Sequence, residues 1–240
     1  MNLVIDIGNT QTKLAIFDGR GKRVLKKTVK KLSVVLLKKM FSQHAINASI
    51  FSSVTANDKT IIAFLKKQQH FILFTHKTSA PLKNRYLTPA TLGRDRLANA
   101  VGASCLFPGK NCLVVDVGTC IKFDFVNAGS EYLGGAISPG IQMRYKSLHT
   151  FTAQLPLIKP QPHVKLTGNT TASAIVSGVQ NGALSEIEHI ILQYKTQYKQ
   201  LKIVVTGGDL GLFVNRIKSH IFAAPDLTLM GLNQILENNK

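Results

Sequence analysis

Apolar residues in the first third of the chain come in short runs broken by glycine or polar pairs, a rhythm that predicts strands more than long helices. Leu3–Asp6 and Lys13–Phe17 read as strands around a Gly-Asn-Thr turn. Asp18-Gly19 is a hairpin signal leading to a third strand near Lys22–Val29. Leu32–Met40 spaces its apolar residues as one face of a helix, with lysines on the other. Asn47–Ser53 then predicts a strand, Asp58–Gln69 a helix and His70–Thr75 another strand. "SAPLKNRYLTPATLG", rich in Pro, Thr and Lys, predicts a loop ending where a helix begins over Arg94–Leu106. "FPGKN" breaks that helix.

The pattern then restarts. "LVVDVGT" from Leu113 repeats "LVIDIGN" from Leu3 almost letter for letter, and each copy is followed by a second strand, a turn and a third strand, here Glu131–Ile137. Similarity on this scale predicts a duplicated unit and not a short-period solenoid. The division falls near residue 109, giving lobes 1–109 and 110–240. The second half continues with a helix from Ile141 to about Thr152, the turn "QLPLIKPQPHVKLTGNT" and a helix from about Ala172 to Tyr194. "LKIVVTGGDLGLF" reads as a strand running into Gly207-Gly208 and a helix, and a last helix starts at Met230.

Composition narrows the class. With 240 residues, 45% of them hydrophobic and 18% charged, the chain has the composition of a globular protein and not a disordered one. No apolar run approaches the ~20 residues of a membrane span, and the first residues lack a basic-then-apolar leader, so a cytoplasmic protein is expected. Cys105, Cys112 and Cys120 have no C-x-x-C spacing, which argues against a disulfide framework or a zinc site. They are expected reduced, with Cys105 and Cys112 buried. The net charge of +18 points to an anionic partner. Much of that charge lies in "GRGKRVLKKTVKKLSVVLLKKM", which has no aromatic residue for base stacking, and the chain has no Trp. A solvated basic face that attracts polyanions generally, and no specific nucleic acid, is the expectation.

The candidate chemistry sits at the turns. In "CLVVDVGTCIKFDFV" a strand apolar enough to be buried ends in Asp116 and Gly118, and the first strand ends likewise in Asp6 and Gly8. Glycine lets backbone N–H groups approach an anion. Asn9, Thr10 and Thr119 add donors, and Lys13 adds positive charge. Two such turns, expected to face each other across a cleft, suit a nucleotide's phosphate chain. Asp6 and Asp116 would hold magnesium, mostly through water, because that ion keeps much of its hydration shell. A tight corner that merely needs glycine is the plain alternative for any one turn. "GNTQTK" is not a P-loop: the second Gly before Lys is missing and a strand follows. Gly207 and Gly208 of "VVTGGD" form a third strand-to-glycine turn against which a base or ribose could lie. In "LGRDR", Asp95 stands between Arg94 and Arg96 at a helix start, a place that suits a carboxylate base, although surface Arg–Asp caps are common.

Asp6-x-Gly8-Asn9-Thr10, Gly93-Arg94-Asp95-Arg96, Asp116-x-Gly118-Thr119 and "GGAISPG" (134–140), in this order, resemble the type III pantothenate kinases. The likeness continues through "HTFTAQLP", "GNTT", "VTGGD" and "APDLTLMGL". It implies an α/β fold of two ribonuclease-H-like lobes of the actin-like, sugar-kinase-like superfamily with a nucleotide cleft between them. It also implies a homodimer and ATP-dependent phosphorylation of pantothenate to 4′-phosphopantothenate, the first step of coenzyme A biosynthesis, with magnesium and a monovalent cation, K+ or NH4+. Carried across, the resemblance places Asp6, Thr10, Lys13, Gly118 and Thr119 at the ATP phosphates and makes Asp95 the general base. It places Tyr86, Gly93 and Arg96 at pantothenate, with Thr171 contributed by the other subunit, and Asp124 at the monovalent cation. Arg96 makes independent sense, since a planar guanidinium grips a carboxylate through two parallel hydrogen bonds.

One letter departs from the family pattern. Lys122 stands where Thr is usual, and Cys120 replaces a usual Ala. Lys122 lies next but one to Asp124 on the same strand face, so its ammonium either supplies the charge of the monovalent cation or points to solvent while potassium still binds. Two rival readings accompany the kinase. One is a ribonuclease-H-like nuclease using Asp6, Asp116 and Asp124 for two metals. The other is a catalytically weak relative acting in regulation or nucleic-acid binding.

Overall fold

A computed structural model describes residues 1–55, 58–68 and 70–240. Its backbone separates into an N-terminal unit (1–108, 130–132 and 226–240) and a C-terminal unit (109–129 and 133–225).

The N-terminal unit begins with β1 (Asn2–Ile7), β2 (Thr12–Phe17) and β3 (Arg23–Val29), then α1 (Val34–Gln43), β4 (Ala48–Ser53), α2 (Lys59–Lys66) and β5 (His70–Leu73). The strands form one sheet in the order β3-β2-β1-β4-β5, the first three antiparallel and β4 and β5 parallel to β1. β1 lies in the middle and is buried along nearly its whole length, which is why it reads as a continuous apolar run. β3 is the outer strand, and its exposed arginine and lysines discourage pairing with another chain. The hairpin predicted at Asp18-Gly19 forms: the Asp18 carboxylate accepts the N–H groups of Arg20 and Lys22, both at 2.9 Å, and Gly21 takes a positive φ of 75°.

Both predicted helices carry side-chain caps. Ser33 Oγ accepts from the Leu36 N–H, and the Asp58 carboxylate accepts from Thr60 and Ile61. The basic helix runs slightly later than predicted. It buries Leu37 and Met40 and leaves Lys38 and Lys39 exposed. Gln69, the predicted end of α2, lies outside the described residues.

The predicted loop holds β6 (Lys83–Asn84), paired in parallel with Glu131 and Tyr132, and a single helical turn over Pro89–Thr91. α3 then spans Arg94–Leu106, as its pattern predicts, and is buried from Arg96 through Ala103. Cys105 corrects an expectation: two residues past that buried stretch it faces solvent.

The C-terminal unit repeats the plan with β7 (Cys112–Val117), β8 (Cys120–Val126), β9 (Glu131–Pro139, from Leu133 on), α4 (Ile141–Thr150), α5 (Thr171–Val176), α6 (Gly182–Gln197), β10 (Lys202–Thr206) and β11 (Phe222–Ala223). Its strand order, β9-β8-β7-β10-β11, matches β3-β2-β1-β4-β5, with β7 and β8 antiparallel and β10 and β11 parallel to β7. Leu113, Val115, Val117, Ile121 and Phe123 turn one sheet face to the helices, closing a core with Tyr145, Ile187 and Ile191. Cys112 is buried in this unit, and burial outweighs the charge of Lys202 in pushing its thiol pKa up to about 11.

The helix predicted from Ala172 starts at Thr171 behind a reciprocal Thr170–Ser173 cap, and a wide π turn at Ser177–Asn181 joins α5 to α6. That turn aims polar side chains at the preceding segment. Ser177 donates to the Leu166 carbonyl, Asn181 donates to the Lys165 carbonyl, and Gln180 binds both the N–H and the carbonyl of Gln161. The helix predicted after Gly208 is a correction, being one short turn, Leu210–Leu212.

α7 (Leu227–Glu237) begins three residues before the predicted Met230 and belongs to the N-terminal unit. It meets α3 backbone to backbone. A Cβ at Gly231 would stand 1.8 Å from the Ala98 carbonyl oxygen, and one at Gly102 would stand 2.8 Å from that of Leu227. Among the described residues no helix is long and apolar enough to cross a membrane.

Candidate active site

The two strand-end turns are built alike. β1 delivers buried Asp6 and then Gly8, whose N–H donates to the Gln11 carbonyl at 3.0 Å and leaves Asn9 and Thr10 exposed. β7 delivers buried Asp116 and then Gly118, whose N–H donates to the Cys120 carbonyl at 3.1 Å and leaves Thr119 exposed. In both cases a buried strand carries a carboxylate to the edge of a turn that presents backbone amides and hydroxyls. Such a concavity suits an oxyanion.

In the C-terminal unit two further glycines crowd the turn. Gly140 caps α4, its N–H reaches the Thr119 carbonyl at 3.1 Å, and a Cβ there would lie 2.2 Å from the Gly118 oxygen. No side chain among the described residues caps that helix, so its first N–H groups and positive dipole end stay available beside the turn. Gly207, at φ 107°, lets the "VVTGGD" turn press on the end of β7, where a Cβ would sit 2.1 Å from the Val117 oxygen. Gly208 brings its amide nitrogen to 4.0 Å from the Cβ position of Gly118, and Asp116 Oδ1 lies 3.9 Å from the same point. Asp209 follows, its carboxyl pKa raised by burial. Gly207 and Gly208 were legible as a turn. Gly140 and the bare start of α4 were missed as site elements, though the glycine of "SPG" before a helical pattern was a usable signal.

Lys122 reaches the carboxylate at the end of β7. Its Nζ lies 2.7 Å from Asp116 Oδ2, an ion pair across the β7–β8 ladder in which the two residues are direct partners. Asp124 shares its strand face but sits opposite Val114 and is fully buried, with the backbone of Gly135 crossing close to it.

The residues expected to bind the acceptor gather at the start of α3 in the N-terminal unit. Gly93 is the helix cap and Asp95 lies in the first turn, with Oδ1 only 2.7 Å from where a Gly93 Cβ would be. Any larger residue at 93 would push that carboxylate away. Arg94 ties the helix start to β4 by donating to the Ser53 carbonyl. Arg96 is 4% exposed, and its guanidinium carbon lies 5.6 Å from the centroid of the Tyr86 ring, which in turn packs at a tilt, 6.1 Å between centroids, against buried Tyr132. A cavity of about 200 Å³ borders Gly93 and Arg94, lined also by Ser53, Val54 and His76, none of which carried a sequence signal. Thr171 belongs to the C-terminal unit, exposed at the first position of α5 and lining an apolar cavity of about 650 Å³ with Leu148, Leu155, Ile175 and Val179.

A magnesium ion that travels with a nucleotide keeps several waters and needs only one or two protein carboxylates. Asp6 and Asp116 are oxygen donors of that kind, each next to a glycine turn, and among the described residues there is no cluster of three or more side chains that could hold a metal ion.

Comparison with known proteins agrees with this geometry. The model of the family "Type III pantothenate kinase" matches residues 2–193. A type III pantothenate kinase of Christiangramia forsetii is 45% identical, the match covering 100% of this chain and 99% of the relative. Among solved structures, a Campylobacter jejuni protein described as a Baf family transcriptional activator superposes with a TM-score of 0.61 at 24% identity, covering 99% of this chain and 98% of its own. The inorganic polyphosphate/ATP-glucomannokinase of Arthrobacter sp. strain KM superposes at 0.51 and 15% identity, covering 99% and 98%. These two likenesses show the fold alone, an α/β chain with two sheets. By the family match and the full-length relatives, the chain belongs to the type III pantothenate kinases.

Proposed function

We propose that this protein transfers the γ-phosphoryl group of ATP to the 4′-hydroxyl of pantothenate, opening coenzyme A biosynthesis. The observation that carries the reading is the start of α3, where Asp95 folds over Gly93 one residue before a buried Arg96 stacked on Tyr86. Arg96 grips the pantothenate carboxylate, and Tyr86 and Gly93 shape its surroundings. Asp95 accepts the hydroxyl proton as that oxygen attacks the γ-phosphorus in line and the bond to the β-phosphate oxygen breaks, releasing ADP. The amides and hydroxyls at Gly8, Asn9, Thr10, Gly118 and Thr119, with Lys13, hold the phosphates. Gly207 and Gly208 offer bare backbone to the nucleoside. Most of the rate enhancement then comes from positioning and charge neutralisation. Asp6 and Asp116 hold magnesium through its waters, and the ion supplies further neutralisation of phosphate charge.

Asp124 serves a monovalent cation, K+ or NH4+. The protein works as a cytoplasmic homodimer whose lobes descend from the repeat over 1–109 and 110–240. Thr171 of the partner subunit completes the pantothenate site. Exposed Ile137, Phe151, Leu157 and Leu166 and the apolar cavity beside Thr171 favour a covered face on the C-terminal unit. The basic surface of β3 and α1 is left without a specific nucleic acid. The ammonium of Lys122 on Asp116 disfavours the two-metal nuclease, which needs that carboxylate bound to metal directly and not through water.

The test is ADP release from ATP, magnesium and pantothenate against the same mixture without pantothenate. Release is expected only with pantothenate and is expected to rise as potassium is added. No pantothenate-dependent ADP over a range of potassium and pH would overturn the assignment. A rate indifferent to potassium would return Lys122 to the role of built-in cation. Arg96→Lys keeps the charge but loses the planar two-bond grip, so its KM for pantothenate is expected to rise roughly 10- to 100-fold with a smaller change in kcat. An unchanged KM would remove Arg96 from the carboxylate.

A further inference from the structure

The two hairpins that carry the phosphate turns share a feature that a linear comparison conceals. In β1–β2, Asp6 stands directly opposite Lys13. In β7–β8, Asp116 stands directly opposite Lys122. Lys13 follows its aspartate by seven residues and Lys122 by six, because the first turn is one residue longer. Sliding one repeat along the other therefore matches Lys13 with Phe123, and only the ladder register pairs the two lysines as equivalents.

Lys122 is also placed where an extra positive charge acts on an anion. Its side chain is 16% exposed and that of Asp116 12%, so both charges are largely withdrawn from water. Such a pair gives little net stability, because the loss of hydration offsets most of the attraction. The Asp116 carboxylate lies beside the Gly118 turn, which the Gly208 amide also approaches, and the start of α4 reaches that turn through Gly140. Along β8 the side chains alternate, so Lys122 turns away from the core face that holds Ile121 and Phe123.

Accepting the nucleotide reading above, we infer that Lys122 is a second phosphate-binding lysine, the C-terminal unit's counterpart of Lys13. Its ammonium is held in place by Asp116 and shared with the phosphate chain of the bound nucleotide. It does not stand in for the monovalent cation assigned to Asp124. No covalent step is involved; what changes is how tightly the nucleotide is held, most visibly when magnesium is absent and the lysines carry the neutralisation.

Calorimetric titration of ADP into the native protein, Lys122→Thr and Lys122→Arg, with and without magnesium, tests this. Without magnesium, Lys122→Thr is expected to weaken ADP binding roughly tenfold or more. Lys122→Arg is expected to remain within about threefold of native, since the charge persists. The potassium concentration for half-maximal rate is expected to stay the same in both variants. Acetylation of the native protein, read by mass spectrometry with and without ADP, supplies a measurement that needs no variant: ADP is expected to protect Lys13 and Lys122 together. Native-like ADP affinity in Lys122→Thr, an altered potassium response in either variant, or protection of Lys13 without Lys122 each overturns the inference while leaving the kinase assignment intact. If native protein binds no ADP at all, the nucleotide reading of both turns fails first.

Discussion

Asp95→Asn is expected to lower kcat about 10²- to 10⁴-fold, the range that a general base contributes. Asparagine has the shape of aspartate, and α3 is capped by the backbone of Gly93 and anchored by Arg94 on Ser53, so the helix start is expected to survive. What is lost is the acceptor for the hydroxyl proton. Phosphoryl transfer with a loose transition state moves that proton late, which favours the lower part of the range. Nucleotide affinity is expected to be unchanged, because the groups assigned to the phosphates lie at the turns after β1 and β7. Steady-state turnover combined with calorimetric ADP binding checks both halves. Near-native turnover would remove Asp95 from the base role, and a parallel loss of ADP binding would show that the substitution had disturbed the fold instead.

Ending the chain at Pro225 is expected to abolish folding of the N-terminal unit, and activity with it. The deleted α7 carries Leu227, Leu229, Leu232, Ile235 and Leu236, all 0% exposed. Fully burying one such side chain contributes about 1.5–3 kcal/mol, so together they rival the roughly 5–15 kcal/mol that stabilises a whole domain. The deletion also removes the partner of the buried Asn2 side chain, whose amide donates to Asn233 at 2.8 Å, and bares the glycine face of α3. Gly231→Ala is the milder companion, because its methyl would collide with the Ala98 carbonyl. Circular dichroism and thermal melting of the purified proteins measure the outcome. A truncated protein that melts cooperatively at the native Tm would refute the packing argument.

Much of the fold is legible in the sequence. The repeated "LVIDIGN" and "LVVDVGT" gave two central strands because a strand buried on both faces must be apolar throughout, and a carboxylate at its end is then conspicuous. α3 was readable to the residue, since proline and glycine punctuate both of its ends. The short turn after Gly208 was misjudged because an apolar run such as "LGLF" is compatible with helix or loop until its packing is known. Cys105 was misplaced for a related reason: a helix buried on most sides has almost no polar face to reveal where its exposed side begins.

The sequence by itself determined the family, the two Asp-x-Gly turns and the Gly-Arg-Asp-Arg helix start, because these depend on local backbone demands and on residue chemistry written in consecutive letters. Only the tertiary structure decided that the C-terminal helix packs in the N-terminal unit and that Lys122 answers Asp116. Both are matters of pairing between distant segments. A ladder register is set by turn length and by which face is buried, and helix docking by two glycines 129 positions apart in the chain, Gly102 and Gly231. Neither leaves a mark at any single position.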